Sequence, residues 1–246
     1  METAPEIIQK GKCIMKRFIL VLCLLLFSAS AYSAESVDGG LSFEDVRRLA
    51  NSGDIRAVNA LGAMYYEGYG VKQDYAKAFE LFRKASDGGN ATAMSNLGRM
   101  YYLGTGVGKD LKKAAELFQK AAKNGDTEGK FMLGLLYDNG EGLKQNKERA
   151  IELYREAATS GYMRAQANLA SMYYAGEGMK ADKEMAFYWY AKAAEQGDAQ
   201  SQYNIAVMYA NGEGVQKDEA LSAEWLQKAA EQGYEPAVTE LGQRTK

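Results

Sequence analysis

The feature that most constrains this chain is a segment of 36 residues that recurs five times between residues 53 and 232. Two columns of glycine and one of tyrosine run through all five copies at this spacing. A fixed period of this length is typical of stacked helical arrays, in which every unit buries apolar surface against its neighbours. The columns are Gly68, Gly104, Gly140, Gly176 and Gly212; Gly70, Gly106, Gly142, Gly178 and Gly214; and Tyr65, Tyr101, Tyr137, Tyr173 and Tyr209.

Each copy is predicted to form two helices joined by a turn, as the second copy illustrates. Apolar residues spaced by three and four predict a first helix over 91–103, in which Gly98 would let a partner helix approach closely. Gly104 is placed to end this helix in the left-handed conformation that glycine favours. A second helix is predicted over 111–123, behind the capping residue Asp110.

A residue with a side-chain oxygen precedes the second helix of every copy. Acids repeated at one position could be mistaken for a catalytic series. Their constant place before a helix instead favours the capping of free backbone N–H groups. The column comprises Asp74, Asp110, Asn146, Asp182 and Asp218.

The array as a whole is predicted to be all-α, a solenoid of five copies with a single helix covering each end. The lone helices are predicted over 43–51 and 235–244, where they would shield the apolar surfaces of the terminal copies. No proline lies between residues 41 and 235 to interrupt the helices. The predicted segments are 32–52 for the N-terminal segment with its helix, 53–88, 89–124, 125–160, 161–196 and 197–232 for the copies, and 233–246 for the C-terminal helix.

The N-terminus has a different composition. Two basic residues precede ten apolar residues, 18–27, and small residues follow them. This pattern predicts a signal peptide over 15–31, cleaved after Ala31 or as late as Ala34, and residues 1–14 are predicted to be an extension from an unused start codon. Ten helical residues rise about 15 Å, half the thickness of a bilayer core, so a retained membrane anchor is the weaker alternative. We expect export, to the periplasm or beyond the cell, with membrane contact only through an uncleaved signal segment.

The residues that most catalytic sites need are missing from this sequence. The chain has no histidine, its two cysteines precede residue 32, and no serine is followed three residues later by lysine. Histidine- or thiol-based catalysis, zinc sites and the Ser-x-x-Lys mechanism of β-lactamases are therefore not expected. We predict a non-enzyme without cofactor or metal. The alternative is a cell-envelope hydrolase, β-lactamase-like or using paired carboxylates on glycans. A formal net charge of −2 without a basic stripe argues against a nucleic-acid partner.

The copies share the pattern Ala-x-x-x-Leu-Gly-x-Met-Tyr-x-x-Gly-x-Gly-Val, with Lys-Ala-Ala downstream. It spans residues 57–71 in the first copy and begins again at Ala93 in the second. This pattern resembles the Sel-one-like repeat family, a branch of the tetratricopeptide superfamily, over roughly residues 53–242. The third copy departs most, with Gly129 for alanine and Leu136 for methionine, substitutions that keep a small or apolar side chain.

The resemblance implies a right-handed superhelix whose first helices line the concave side, and a scaffold that binds proteins or peptides there. Related peptide-binding repeats place an asparagine just before the Leu-Gly pair, a position held here by Asn96, Asn168 and Asn204. An amide can donate to and accept from an extended peptide backbone at once. The alternative is that these asparagines form hydrogen bonds with neighbouring helices.

Other candidates for the concave face lie within one turn of these asparagines. In the third copy, Phe131 and Leu135 would form an apolar centre typical of a binding hot spot if exposed, and a packing contact if buried. The predicted partner-binding residues are Asn96, Arg99, Asn168, Ser171, Asn204, Tyr203, Arg164, Phe131 and Leu135.

Overall fold

The computed structural model describes residues 41–244, which contain twelve α-helices and no β-strand. The predicted signal peptide and the extension before it lie outside the described residues. The chain divides into a unit that ends at Asp45 and a unit that begins at Val46. The helices are α1 Phe43–Asn51, α2 Ile55–Glu67, α3 Tyr75–Asp87, α4 Ala91–Leu103, α5 Leu111–Lys123, α6 Thr127–Asn139, α7 Lys147–Thr159, α8 Met163–Ala175, α9 Lys183–Glu195, α10 Ala199–Asn211, α11 Glu219–Glu231 and α12 Glu235–Arg244.

Capping residues at the ends of most helices explain these bounds. The Asp110 carboxylate accepts a hydrogen bond from the backbone N–H of Lys113 over 3.0 Å, a bond that lowers the pKa of Asp110. Gly104 ends α4 with a φ of 75°, a conformation that a side chain would strain. The predicted bounds of α1, α4, α5 and α12 are confirmed, as is the capping role of the repeated acids.

In the first three copies, the two helices of the copy approach each other closely at a glycine, which is replaced by alanine in the last two. A Cβ at Gly98 of α4 would lie 2.9 Å from the ring of Phe118 of α5, closer than side chains pack. Gly134 of α6 meets the ring of Tyr154 of α7 in the same way, and both rings are fully buried. Glycine at this position therefore lets a large ring fill the space between the two helices of a copy.

Each second helix also packs against the first helix of the next copy, so that the core continues along the array. A single buried cluster contains Phe118 of α5, Leu136 of α6, Tyr154 of α7 and Leu169 of α8. Neighbouring copies thus bury one another's apolar surface, which is the arrangement of the predicted α solenoid.

The terminal helices carry buried residues of their own. Val46 and Ala50 of α1 are each 3% exposed. At the other end, Ala237 of α12 is fully buried in a cluster with Leu226 and Ala229 of α11, so α12 covers the last copy as predicted. None of the helices within residues 41–244 has the length and apolar character needed to cross a bilayer.

Candidate functional site

The first helices of successive copies contact each other along one side, which we call the first-helix face. It consists of four positions in each copy, namely those of Asn59, Asn96, Arg99 and Glu128 and the residues that lie 36 residues, or a multiple of 36, before or after them. The Asn96 amide nitrogen donates to the Asn59 amide oxygen over 3.0 Å and links α4 to α2. Nη1 of Arg99 donates to the Glu128 carboxylate over 2.8 Å and links α4 to α6. These four side chains form the N-terminal half of the face.

Asn96 is engaged inside the chain through both ends of its amide. Its oxygen accepts a hydrogen bond from Nη2 of Arg99 over 3.0 Å, while its nitrogen bonds to Asn59. Only 8% of the residue is exposed. Of the two predicted roles for this asparagine, the structure therefore shows the hydrogen bond to a neighbouring helix.

Arg99 is the centre of the N-terminal half. Its side chain is 15% exposed and that of Glu128 is 20% exposed, so the ion pair between them is largely shielded from solvent. The guanidinium also lies over the ring of Tyr66, 5.8 Å from its centre. Burial raises the pKa of Tyr66, and the positive charge of Arg99 opposes that rise. The guanidinium is thus held by a carboxylate, an amide oxygen and an aromatic ring.

The third copy does not present an exposed apolar centre. Phe131 is 3% exposed, and its ring centre lies 5.1 Å from that of Tyr162 and 5.7 Å from that of Tyr154. Leu135 is half-buried against the same cluster. Aromatic packing at these distances fixes Phe131 in the core, so the structure gives it the buried packing role considered from the sequence.

The C-terminal half of the face, which comprises Asn168, Ser171, Tyr203 and Asn204, has a different state of bonding. Asn168 and Asn204 are half-buried, and neither side-chain amide forms a hydrogen bond within residues 41–244. Ser171 is exposed and lies beside the hydroxyl of Tyr190. Burial raises the pKa of Tyr190 to about 12, against the opposing hydrogen bond to Ser171. Two amides of this half are therefore open to other groups.

Two neighbouring positions decide whether an asparagine of this column is bonded. One lies 37 residues earlier, on the preceding first helix, and the other lies three residues later, on the same helix. An amide or guanidinium there can share a hydrogen bond, whereas an apolar side chain cannot. These two positions hold Asn59 and Arg99 for Asn96, Phe131 and Ser171 for Asn168, and Ala167 and Val207 for Asn204.

A cavity of about 680 Å³ lies at the C-terminal end of the face, between α10 and α12. Tyr203 belongs to its wall, and the ring of Tyr203 packs against that of Tyr234 with 5.5 Å between centres. Glu240 stands one copy after Asn204 and so continues the asparagine column with a carboxylate. The lining consists of Tyr203, Glu235, Pro236, Thr239, Glu240 and Gln243.

Two glutamines fix the helices of the C-terminal half and were not predicted from the sequence. Gln166 is 4% exposed; its nitrogen donates to the carbonyl of Ala158 over 3.1 Å, and its oxygen accepts from Gln196 over 2.6 Å. Gln202 forms the corresponding bonds one copy later. The sequence did contain a signal for these bonds. Gln166 and Gln196 are 30 residues apart, and the same spacing recurs one copy later between Gln202 and Gln232. They hold α8 and α10 in place without using the amides of the face.

Two acidic residues that could suggest a catalytic site have structural partners instead. The hydroxyl of Tyr174 and the ammonium of Lys183 each donate to Glu213 over 2.6 Å, and these bonds lower the pKa of Glu213. Asp110 caps α5. Within residues 41–244, no group of three or more acidic, histidine or cysteine side chains is arranged to hold a metal ion.

Comparison with known proteins gives five matches to one family model. The model for the Sel1 repeat matches residues 55–90, 91–126, 127–162, 164–198 and 199–234. A protective antigen present in uropathogenic Escherichia coli strains, which displays an SLR fold, is 36% identical and superimposes with a TM-score of 0.75. The match covers 81% of this chain and 43% of the antigen, so this chain spans less than half of the antigen's length.

Two further solved structures are similar to this chain. A Sel1 repeat protein from Oxalobacter formigenes is 34% identical, with a TM-score of 0.74, over 82% of this chain and 89% of that protein. An immunity protein from Pseudomonas aeruginosa shares the fold at 21% identity and a TM-score of 0.53, over 79% of this chain and 75% of that one. Among curated proteins, none matches this sequence.

Proposed function

The chain belongs to the Sel1 repeat family, and we propose that it is an exported, non-enzymatic scaffold that binds an extended segment of another protein on the C-terminal half of its first-helix face. Sel1 repeat proteins generally bind protein partners and are generally non-catalytic. Beyond this general role, we propose that binding occurs on the C-terminal half of the first-helix face, that the ligand is an extended segment and that the protein is exported.

The observation that carries the proposal is that the side-chain amides of Asn168 and Asn204 form no hydrogen bond with any other described residue, 41–244. Both are half-buried, so water satisfies them less freely than it does an exposed amide. Each amide can donate one hydrogen bond and accept another, which is what the backbone of an extended peptide offers in return. Asn96 occupies the equivalent position two copies before Asn168 with its amide already used, so the open amides are a property of this half.

The surroundings of these asparagines favour binding because little has to be ordered when a ligand arrives. The glutamine bonds beneath the face fix α8 and α10 relative to the second helices on either side. A rigid surface with open donors and acceptors loses less conformational entropy on binding than a mobile one. Ser171 adds an exposed hydroxyl one turn from Asn168.

Site-specific photo-crosslinking in living cells tests the place of binding. A photoreactive residue at position 171 should give a discrete covalent adduct with another protein, because Ser171 lies on the proposed face. A photoreactive residue at Glu116, which is exposed on the second helix α5, is the matched control and should give none. Adducts of equal yield at both positions would contradict a binding surface on the first-helix face.

Removal of the two side-chain amides tests whether Asn168 and Asn204 contact the bound protein. With Asn168→Ala and Asn204→Ala together, the affinity for the crosslinked protein should fall about thirtyfold, since the loss of one hydrogen bond of about 1 kcal/mol at each asparagine removes about 2 kcal/mol in total. The melting temperature should stay nearly unchanged, because neither amide has a hydrogen-bond partner among residues 41–244. Unchanged binding would remove the support for the proposal.

Two simpler assays test the absence of enzymatic activity and the export of the protein. Incubation of the purified chain with cell-wall fragments and with β-lactams should give no turnover, whereas an envelope hydrolase would consume one of them. Export predicts that the protein fractionates with the periplasm or medium and that its N-terminus, sequenced from cells, begins after Ala31 or within the next three residues. A cytoplasmic protein with an intact N-terminus would contradict export.

A further inference from the structure

We propose that the chain forms a dimer through α9, which packs antiparallel against α9 of a second molecule of the same chain, with Tyr188 at the centre of the contact. The surface consists of Glu184, Met185, Tyr188, Ala191 and Lys192, which we call the α9 stripe. Steps of three and four residues place these side chains on one side of the helix. The inference goes beyond the proposed function, which concerns the first helices, and does not depend on it.

The centre of the α9 stripe lacks the charge that the other copies carry there. Tyr188 is 49% exposed, whereas a glutamate holds the same position in the other four copies. Three residues before and after Tyr188, α9 carries Met185 and Ala191, where the first and third copies carry a basic residue on both sides. The four glutamates are Glu80, Glu116, Glu152 and Glu224. Only in the fourth copy, therefore, can this position meet itself in a second molecule without two carboxylates repelling each other.

The charges on either side of Tyr188 are in the order that antiparallel pairing requires. When a helix pairs with itself about a two-fold axis, the residue four before the centre lies level with the residue four after the centre in the other molecule. In α9 these residues are Glu184 and Lys192, so an acid lies level with a base at both ends of the contact. Tyr188 stands near the middle of this 13-residue helix, so the two helices overlap over most of their length.

Among the second helices of the five copies, α9 alone has opposite charges at these two positions. In α5 both positions hold lysine, Lys112 and Lys120, and in α7 both hold glutamate, Glu148 and Glu156. Self-pairing of α5 or α7 would therefore bring like charges level with each other at both ends. In α3 and α11 the first position is alanine and the second is lysine. The combination of a neutral centre and opposite charges at the ends makes α9 complementary to itself.

Both charged groups of the α9 stripe can be reached by a second molecule. Glu184 is exposed and forms no hydrogen bond or ion pair within residues 41–244. The ammonium of Lys192 lies 3.6 Å from the carboxylate of Glu195, and both of these side chains are about half exposed, so their ion pair contributes little. The same ammonium lies 6.0 Å from the centre of the Tyr188 ring. Lys192 can therefore turn towards Glu184 of the second molecule at little cost.

Sedimentation equilibrium of the purified chain measures this association. One helix from each molecule gives a small contact, so the expected dissociation constant is on the order of 100 µM at low salt. Concentrations on either side of this value should fit an equilibrium between monomer and dimer. Added salt should shift that equilibrium towards monomer, because the ion pairs at the two ends are exposed. A chain that stays monomeric throughout would overturn the inference, since the stripe would then be bare or serve a different molecule.

Tyr188→Glu tests the centre of the contact by restoring the residue of the other four copies. Self-association should weaken about tenfold or more, since two carboxylates then meet. The far-UV circular dichroism should be unchanged, because glutamate fits this position elsewhere in the array. As a matched control, Glu116→Tyr added to Tyr188→Glu moves the tyrosine to α5, between two lysines, and should not restore association. Association that survives Tyr188→Glu, or that Glu116→Tyr restores, would show that α9 is not the interface.

Exchange of the end charges tests the antiparallel register. Glu184→Lys and Lys192→Glu should each weaken self-association about tenfold, because like charges then lie level at both ends. When the two variants are mixed, they should associate about as strongly as the unaltered chain, because each end of the mixed pair again joins an acid to a base. Variants that associate no better together than alone would overturn the inference, as would single variants that associate like the unaltered chain.

Discussion

The two halves of the first-helix face use the same asparagine column in opposite ways. In the N-terminal half, Asn96 is 8% exposed and bonded on both sides, within a network that reaches from α2 to α6. In the C-terminal half, Asn168 and Asn204 are half-buried without hydrogen bonds in the described part of the chain. The first arrangement joins copies to one another, and the second leaves donors and acceptors for another molecule.

If the proposed function holds, this difference separates stability from binding within one repeat array without changing its fold. The helix lengths and the turn glycines are the same in both halves, whereas the glycine beside the core ring in the first three copies is replaced by Ala170 and Ala206 in the last two. The C-terminal half obtains its links between helices from Gln166 and Gln202, which are buried beneath the face. Its surface amides are therefore not required for packing.

The largest expected difference between the halves is their response to alkaline pH. The second-helix core position held by Phe82 and Phe118 in the first two copies is held by Tyr190 in the fourth. Burial raises the pKa of Tyr190 to about 12. Since the unfolded chain releases this proton near pH 10 and the folded chain keeps it to about pH 12, stability should fall as pH rises through this range, by about 3 kcal/mol for this group.

Urea denaturation at pH 9 and pH 12, followed by tryptophan fluorescence, measures this fall in the C-terminal copies. Both tryptophans of the chain, Trp189 and Trp225, lie there. Tyr190→Phe should reduce the loss by about 3 kcal/mol and remain folded, because phenylalanine occupies this position in two other copies. A loss that is the same in Tyr190→Phe would show that the pH response of this half has another source.

The sequence predicted the fold in detail because most helix ends carry residues with a local role. An acid or asparagine before a helix, and a glycine directly after it or one residue later, act through the nearest backbone groups, whatever the rest of the chain does. This is why 91–103 and 111–123 were predicted with the bounds that α4 and α5 have. The close approach of the two helices at Gly98 could also be predicted, because this contact depends on only the two helices of one copy.

The hydrogen bonds of the first-helix face could not be predicted by looking at a single repeat position across the copies. Asn96 and Asn168 are the same residue at equivalent positions, and only the side chains on the preceding helix and on the next turn distinguish them. Phe131 was open to either alternative because its burial depends on Tyr162, which takes the place of a helix-capping acid in the fourth copy. Contacts between copies require two columns to be compared at once, and this comparison also identifies the glutamine bonds.

Substitution of Arg99 removes the central residue of the hydrogen-bond network in the N-terminal half of the face. Arg99→Ala removes the cation that bonds to Glu128 and Asn96 and should lower the free energy of unfolding by about 2 kcal/mol, because two shielded polar groups lose their partner. Ser171→Ala, at the equivalent position of the C-terminal half, should change it by less than about 0.5 kcal/mol. Urea denaturation followed by far-UV circular dichroism measures both. Equal losses would mean that the two halves do not differ in their use of this column.

The smallest effect gives the most direct comparison, because it removes the same amide from each half. Asn96→Ala should lower the free energy of unfolding by about 1 kcal/mol, since it leaves Asn59 and Arg99 each without one hydrogen bond. Asn168→Ala should change it by no more than a few tenths of a kcal/mol, and alanine's higher helix propensity could make that change a gain. Both variants belong in one urea series at neutral pH. If Asn168→Ala destabilised the chain as much as Asn96→Ala, the amide of Asn168 would have a structural partner in solution, and the C-terminal half would not be free to bind.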